Sequence, residues 1–435
     1  MNMSNKLAEH HNVQSSYNPL SIVEKFLLGI FFIHLPFVYA LTFDIGFPLK
    51  ISEVFLTIII VFFLFKKRLW TIFFDAQLRP YIGISLLFLF FLSISTVVNS
   101  FWDYDYKLNL QFFRKNTTVS SYSKLVYTYL AIISSFISYY AFRVNKNWVI
   151  SCLLIGSTLA TVYCWYLFWF SLLKIHYHTL PGSDQFPQAA LFHFGHFIRC
   201  GTFKEGNHMG LFLLVSGIIA IYQHKNILGY LFLLTTITTA SSMAIGTSLL
   251  FLGGIFVHSR MQKKQYFQIF ASLTLFLIAL FILYLKSPDM QYMVSKLIPG
   301  KDAFNRDAIF SQQERLNLAT SAIAMSNENP FWGIGLTQFS AHYEHFSTGL
   351  FPQTNEKMLP NNIYLEILAE AGWFSFLTFL GILIFIGVNL KSTILRYGYI
   401  AFLLYLLAYP TFTLLFIWVF KALLLNNATQ KQPFN

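Results

Sequence analysis

Apolar runs recur along this chain from Ser21 almost to Asn426, and no Pro-, Gly- or Ser-rich linker separates one from the next. A run of roughly 17–25 apolar residues is long enough to cross a hydrocarbon layer as a helix, which satisfies its own backbone where no water is available. Such runs fall near 21–43, 50–65, 81–99, 125–142, 148–173, 209–223, 227–241, 243–258, 267–285, 367–390, 398–409 and 411–426. The pattern predicts an all-α, polytopic integral membrane protein of about twelve transmembrane helices. The runs at 227–241 and 243–258 are short enough to be tilted or partly re-entrant, and the last two, divided by Pro410, are open to reading as one kinked helix. Composition agrees: 56% of the residues are hydrophobic and 11% charged, against about a quarter charged in soluble domains. The expected organisation is a tail over 1–20, one membrane domain over 21–426 and a second tail over 427–435.

Lys and Arg collect on one side of this layout. Lys66, Lys67, Arg68 and Arg79 share one loop; Arg143 and Lys146, then Lys225, then Arg260, Lys263 and Lys264, then Lys391 and Arg396 follow in alternate loops. Counting Lys6, Lys25, Lys421 and Lys431 on the same side, that side carries essentially the whole formal charge of +12. By the positive-inside rule it is cytoplasmic, with the N-terminus inside and the first helix serving as an uncleaved insertion signal. Anionic lipid head groups account for the basic inner face, and nucleic acid is not an expected partner. Cys152, Cys164 and Cys200 form no disulfide or zinc pattern, and His176, His178, His193 and His196 are read as wet loop histidines, so no metal is expected.

Three outward loops are long, near 100–124, 174–208 and 286–365. The last lies between the ninth and tenth spans and is long enough to need structure of its own. It is read as a large extracytoplasmic subdomain with a helix over 312–325 whose Leu316, Ala319 and Ile323 form a buried face. The second loop ends in a polar segment that runs from Arg199 through Lys204, Glu205, Gly206 and Asn207 into an apolar helix. Arginine, lysine and a helix N-terminus together suit phosphate, although such charges also merely solvate a loop and snorkel at a membrane surface. The third loop carries Arg315, then Asn329-Pro330-Phe331-Trp332-Gly333-Ile334-Gly335, then His342, Glu344 and His345. It closes on Asn361-Asn362-Ile363-Tyr364-Leu365-Glu366, with Glu370 one helical turn further. Glutamates in a first helical turn are favoured by the macrodipole alone. Glu370, deeper in the apolar run, needs a partner, and a loop arginine is the expected one. Walker, HExxH, GxSxG and paired-cysteine motifs are missing from the sequence.

In order, spacing and side, these segments resemble the O-antigen ligase family of lipopolysaccharide ligases, polysaccharide polymerases and protein O-oligosaccharyltransferases. The resemblance covers about 199–372 and implies a GT-C-like glycosyltransferase architecture. It further implies transfer of a glycan from a polyprenyl-diphosphate-linked oligosaccharide donor to a glycan or lipid A-core acceptor, among membrane lipids and without a cofactor. Carried over, the catalytic candidates are Arg199, Arg315, Glu370, His342 and His345; the substrate-binding candidates are Lys204, Glu205, Asn207, Asn361, Asn362, Tyr364 and Glu366. Arginine suits a leaving diphosphate because its planar fork directs two hydrogen bonds. Asn361 stands where ligases carry a histidine, and an amide cannot act as a general base, which favours polymerase over ligase. The rival reading is a flippase for the same lipid-linked oligosaccharide, although the polar residues gather in asymmetric outer loops rather than at mid-membrane depth in repeated halves.

Overall fold

The computed structural model describes residues 17–44, 48–101, 104–109, 118–182, 187–192, 195–289, 291, 306–347 and 358–429. Most of both expected tails and parts of the 286–365 loop lie outside these residues.

The first apolar run is a helix for only part of its length. α1 (Ile22–His34) starts at a capping box in which the Ser21 hydroxyl accepts from the Glu24 amide and the Glu24 carboxylate accepts from the Ser21 amide. Pro36 then prevents continuation. Instead of one span over 21–43, the chain leaves the helix and pairs β1 (Thr42–Asp44) antiparallel with β2 (Pro48–Lys50). α2 (Ile51–Phe65) and α3 (Arg68–Phe73) are divided by Lys67 in the left-handed region, and α4 (Arg79–Ser100) follows.

α5 (Thr118–Leu172) is broken at Asn145, whose φ of −150° and ψ of 70° are not helical. Its arms, 118–144 and 146–172, contain the fourth and fifth apolar runs. Lys124 on the first arm and Ser171 on the second contact the polar segments at one end of the molecule. Tyr140 and Lys146 meet Asn18 and Tyr222 at the other end. The chain therefore reverses at Asn145, beside Arg143 and Lys146. A second hairpin, β3 (Ala189–Phe192) with β4 (Gly195–Ile198), precedes α6 (Gly206–Tyr222). Then come α7 (Asn226–Thr235) with a 3-10 turn over Thr236–Thr239, α8 (Ser242–Gln262), α9 (Tyr266–Lys286), α10 (Arg306–Glu328), α11 (Phe339–Phe346), α12 (Ile363–Asn389), α13 (Thr393–Tyr405) with a turn over Leu406–Ala408, and α14 (Leu415–Thr429). The last two are separate helices joined by the non-helical stretch 409–414, not one kinked helix.

Among the described residues, five helices are long and apolar enough to cross a membrane: α4, α5 from Ser120, α8, α9 and α12. α2, α6, α7 with its turn, α13 with its turn, and α14 are shorter apolar helices. Large apolar side chains stand fully outward, among them Ile22 (87% exposed), Phe65 (85%) and Ile227 (89%). Apolar surface on this scale is stable against lipid rather than water.

At the centre lies α14, buried from Leu415 to Ala428 and packed mainly against α5. Lys421 is part of it. Counted above as an inner-face charge, this lysine is instead fully buried in mid-helix, with Nζ 4.0 Å from the Trp418 ring centre, 4.6 Å from that of Phe379, and no hydrogen-bond partner among the described residues. At the end away from the polar segments, Glu24 and Arg68 form a buried ion pair at 2.5 Å that Lys66 joins at 3.6 Å.

The loop helix forms, but with a different face inward. α10 contains 312–325, yet Leu316 is 67% and Ile323 47% exposed, whereas Leu318, Ala322 and Met325 are buried. These pack on Ile334, Phe339 and Ala369, so tertiary contact selects the stripe one position round from that expected.

Candidate active site

The glycine-rich segment 329–335 is a clamp on a broken helix. α12 is interrupted at Gly372, where φ is +76° and ψ 179°, a conformation essentially confined to glycine. The break frees the carbonyls of Ala369 and Glu370, which accept from the amides of Ile334 (3.0 Å) and Gly335 (2.9 Å), while the Trp373 amide donates to Pro330 O (2.8 Å). A Cβ at Gly333 would lie 2.5 Å from Ala369 O, and one at Gly372 2.3 Å from Phe331 O. Ser95 of α4 donates to Trp332 O at 2.6 Å and fastens the clamp to the bundle.

This clamp holds the first half of α12, which carries both glutamates. Their partner is Lys124 of α5 rather than a loop arginine: its Nζ donates to Glu366 Oε1 and to Glu370 Oε2, each at 2.6 Å. The carboxylate side chains are 2% and 0% exposed and that of Lys124 11%, so the trio is a nearly dry unit with one net negative charge. The start of α5 is pinned there because Ser121 donates to Leu336 O and accepts from the Gln338 amide group.

The Arg199 segment faces this unit from α6. Gly206 opens that helix and must lack a side chain, since a Cβ there would stand 2.4 Å from Arg199 Nε and 2.5 Å from Thr239 O. The guanidinium is thereby laid across a helix N-terminus, where two positive features adjoin. Its Nη2 donates to Asn207 Oδ1 at 3.4 Å. Burial pushes Arg199 below its ordinary pKa and repulsion from Arg315 adds to that, while Tyr405, Glu205 and Cys200 oppose it. The two arginines therefore sense one another, although Arg315 lies exposed on α10.

Between the two halves runs the 405–412 stretch. Tyr405 Oη donates to Asn207 O at 2.8 Å. The Tyr409 ring lies 4.9 Å from that of His208 and 6.3 Å from that of Tyr405, and Phe412 stacks under Lys124 Nζ at 5.3 Å. Arg199 Nε, His208 Nε2, Tyr409 Oη and Glu370 Oε1 are all buried without a hydrogen-bond partner among the described residues. Buried polar atoms are paired nine times in ten or more. A neighbourhood of orphans marks a place where a polar ligand completes the structure. Beside it, α7, its 3-10 turn and α8 enclose an apolar groove of about 490 Å³ lined by Ile227, Leu231, Leu234, Ile237, Ile245 and Leu249, among others. The turn that closes this groove ends at Thr239, next to Gly206 and Arg199.

Other candidates fall elsewhere or are engaged. Asn362 is the N-cap of α12, its Oδ1 accepting from the amides of Tyr364 and Leu365, and Tyr364 Oη donates to Leu403 O. Asn361 is exposed with φ +43°, a conformation asparagine tolerates. Lys204 is exposed and leans over the Tyr39 ring at 5.6 Å. His342 is 1% exposed, its Nδ1 2.7 Å from Tyr106 Oη; burial, with repulsion from His345, lowers its pKa to about 3, which makes it a poor base. His345 is exposed and stacks on Tyr106 at 3.9 Å. The described residues contain no cluster of three metal-ligating side chains. Lys124, His208, Tyr405 and Tyr409 are missed by motif reading. The signals were a lysine at the edge of an apolar run and the Tyr409-Pro410 interruption between two others.

The fold and site define an α-helical membrane protein with a polar centre built by loops and broken helices at one end of its bundle. Residues 226–380 match the family model described as O-antigen ligase, which is what this part of the chain is similar to. The matched segment spans α7 to the second half of α12 and includes the clamp, Arg315 and the two glutamates. No curated protein matches the chain. That similarity and the apolar helices together point to a glycosyl-transferring membrane protein of O-antigen or related polysaccharide biosynthesis.

Proposed function

We propose that the chain transfers glycan from a polyprenyl-diphosphate-linked donor to an acceptor glycan outside the cytoplasmic membrane, with its N-terminus inside, about twelve spans, and the 286–365 loop outside. The observation that carries this reading is Arg199, half-buried across the N-terminus of α6 with Nε unpartnered and Arg315 within electrostatic range. A guanidinium laid against a helix N-terminus suits a diphosphate, whose charge rises as the glycosidic bond breaks. Lys204 assists from the loop. The apolar groove beside the turn that ends at Thr239 fits the polyprenyl tail.

On the opposite side the Glu366 and Glu370 pair accepts the proton of the acceptor hydroxyl. The hydroxyl oxygen bonds to the anomeric carbon, the bond from that carbon to the diphosphate breaks, and the electron pair leaves with the carrier. Asn361 offers no base, which favours a polymerase, with a second carrier-linked repeat as acceptor, over a ligase acting on lipid A core. The family match bears on transfer and lends nothing to the flippase reading.

Deletion in the native host, with surface glycan resolved by gel, tests the reading. A core bearing a single repeat identifies a polymerase, and long chains held on the carrier above a bare core identify a ligase. An unchanged ladder with unchanged attachment refutes glycan transfer.

A further inference from the structure

We propose that Tyr409 is a further catalytic residue, its hydroxyl donating a hydrogen bond to the diphosphate oxygen from which the glycan departs; this rests on the transfer reading above.

Tyr409 is fully buried and its Oη has no partner among the described residues. An unsatisfied buried hydroxyl is a cost that a chain of this kind can remove by carrying phenylalanine, which keeps the ring and its packing. Fifty phenylalanines elsewhere in the sequence show how readily such positions are filled that way. The ring is already held without the hydroxyl, edge-on to His208 at 4.9 Å and to Tyr405 at 6.3 Å.

Its place in the chain is equally specific. Pro410 follows, α13 has unwound through the turn at Leu406–Ala408, and α14 begins only at Leu415. Non-helical backbone inside a membrane bundle persists where it is buried in protein or lines a cavity. Here Trp418 Nε1 donates to Phe412 O at 2.6 Å, which stabilises the stretch from below. The stretch that carries the hydroxyl touches both halves of the site: Tyr405 donates to Asn207 O and the Tyr409 ring meets His208 on the α6 side, while Phe412 lies under Lys124 Nζ, which holds Glu366 and Glu370, on the α12 side. A phenol midway along a stretch that touches the Asn207 end of α6 and the Lys124 carboxylate unit is placed to serve a reaction between the two halves. It transfers no proton. It donates a hydrogen bond that strengthens as the departing oxygen gains charge, while the acceptor proton goes to the carboxylate pair.

The test is Tyr409→Phe in the full-length protein in lipid nanodiscs, assayed with carrier-linked repeat units extracted from the native host, beside Arg199→Ala. The expected result is a melting temperature equal to or above wild type, a donor KM within about twofold, and kcat lower by about a hundredfold. Wild-type kcat in Tyr409→Phe with an inactive Arg199→Ala overturns the role of Tyr409 and leaves the transfer reading standing. Wild-type kcat in both overturns the reading itself. A lowered melting temperature in Tyr409→Phe also overturns the proposal, because it shows that the hydroxyl has a partner within the protein.

Discussion

Gly372→Ala tests whether the glycine-rich clamp does what its geometry says. At φ +76° and ψ 179° an alanine bears backbone strain of about 1–3 kcal/mol. Its Cβ would also sit 2.3 Å from Phe331 O, 2.5 Å from Phe331 C and 2.7 Å from Trp332 N. These are backbone atoms, so no rotamer change relieves the overlap, and the clamp must move away. Doing so weakens the hydrogen bonds from Ile334, Gly335 and Trp373, at about 1 kcal/mol for each one lost. With all three lost the sum is about 4–6 kcal/mol, a shift in melting temperature on the order of 5 °C for a chain of this length. Gly253→Ala is the control: it lies in α8 with nothing within 4 Å of the added Cβ, and a helical glycine replaced by alanine gains about 0.5–1 kcal/mol. Thermal unfolding in detergent, followed by tryptophan fluorescence, reads both variants. If Gly372→Ala melts within about a degree of wild type, the break in α12 is not held by this clamp.

Three further perturbations address the buried charges. Lys124→Met leaves two adjacent carboxylates buried without a counter-ion and is expected to cost about 3–5 kcal/mol, much of it restored when Glu366→Gln and Glu370→Gln are added; a melting temperature equal to wild type in the single variant would show that the trio is wet. Lys421→Met removes an unpaired amine from mid-helix while keeping the stem, and the melting temperature should rise; a fall would show an unseen partner. His342 is held neutral by burial down to about pH 3, whereas in the unfolded chain it titrates near 6.5. The unfolded state therefore binds the extra proton first. The stability this residue contributes is complete above pH 6.5 and falls by about 1.4 kcal/mol per pH unit on acidification toward pH 3. His342→Asn should flatten that slope, and an unchanged slope would assign it to other groups.

The hydrophobic runs were legible because the bilayer demands a local solution: each helix must close its own backbone hydrogen bonds, so length and apolarity alone locate it. What escaped is non-local. Glu370 visibly needed a cation, but which one depended on how α5 packs beside α12, some 240 residues apart in sequence, and the answer was a lysine at the edge of a loop. The inward face of α10 was misjudged by one position because that helix is weakly amphipathic and its partners, Ile334 and Ala369, are chosen by the clamp. Lys421 was assigned to a membrane face by counting, which cannot distinguish a loop lysine from one drawn into an aromatic cage. The loop motifs were found without their reasons. Gly333 serves a close approach to the α12 backbone, and Asn362 caps a helix.

Three interruptions of helical geometry lie beside four of the buried polar atoms that have no partner among the described residues. α12 breaks at Gly372, α7 tightens into a 3-10 turn that ends beside Arg199, and α13 unwinds before Tyr409, all at the end that carries Lys124 and the glutamates. Each interruption frees backbone groups that lipid cannot satisfy, so each costs stability unless neighbouring chain pays it back. At the Gly372 break that repayment is visible in the amides of Ile334, Gly335 and Trp373. For Arg199 Nε, His208 Nε2, Tyr409 Oη and Glu370 Oε1 no repayment exists within the described chain. A fold selected for stability alone would replace the last three with apolar residues of similar shape. Their retention at one end of the bundle, on α6, on α12 and in the stretch between α13 and α14, follows if a bound substrate supplies the missing partners. Saturating donor should then raise the melting temperature of wild type more than that of Tyr409→Phe, and equal shifts in the two would break this link between the orphans and the substrate.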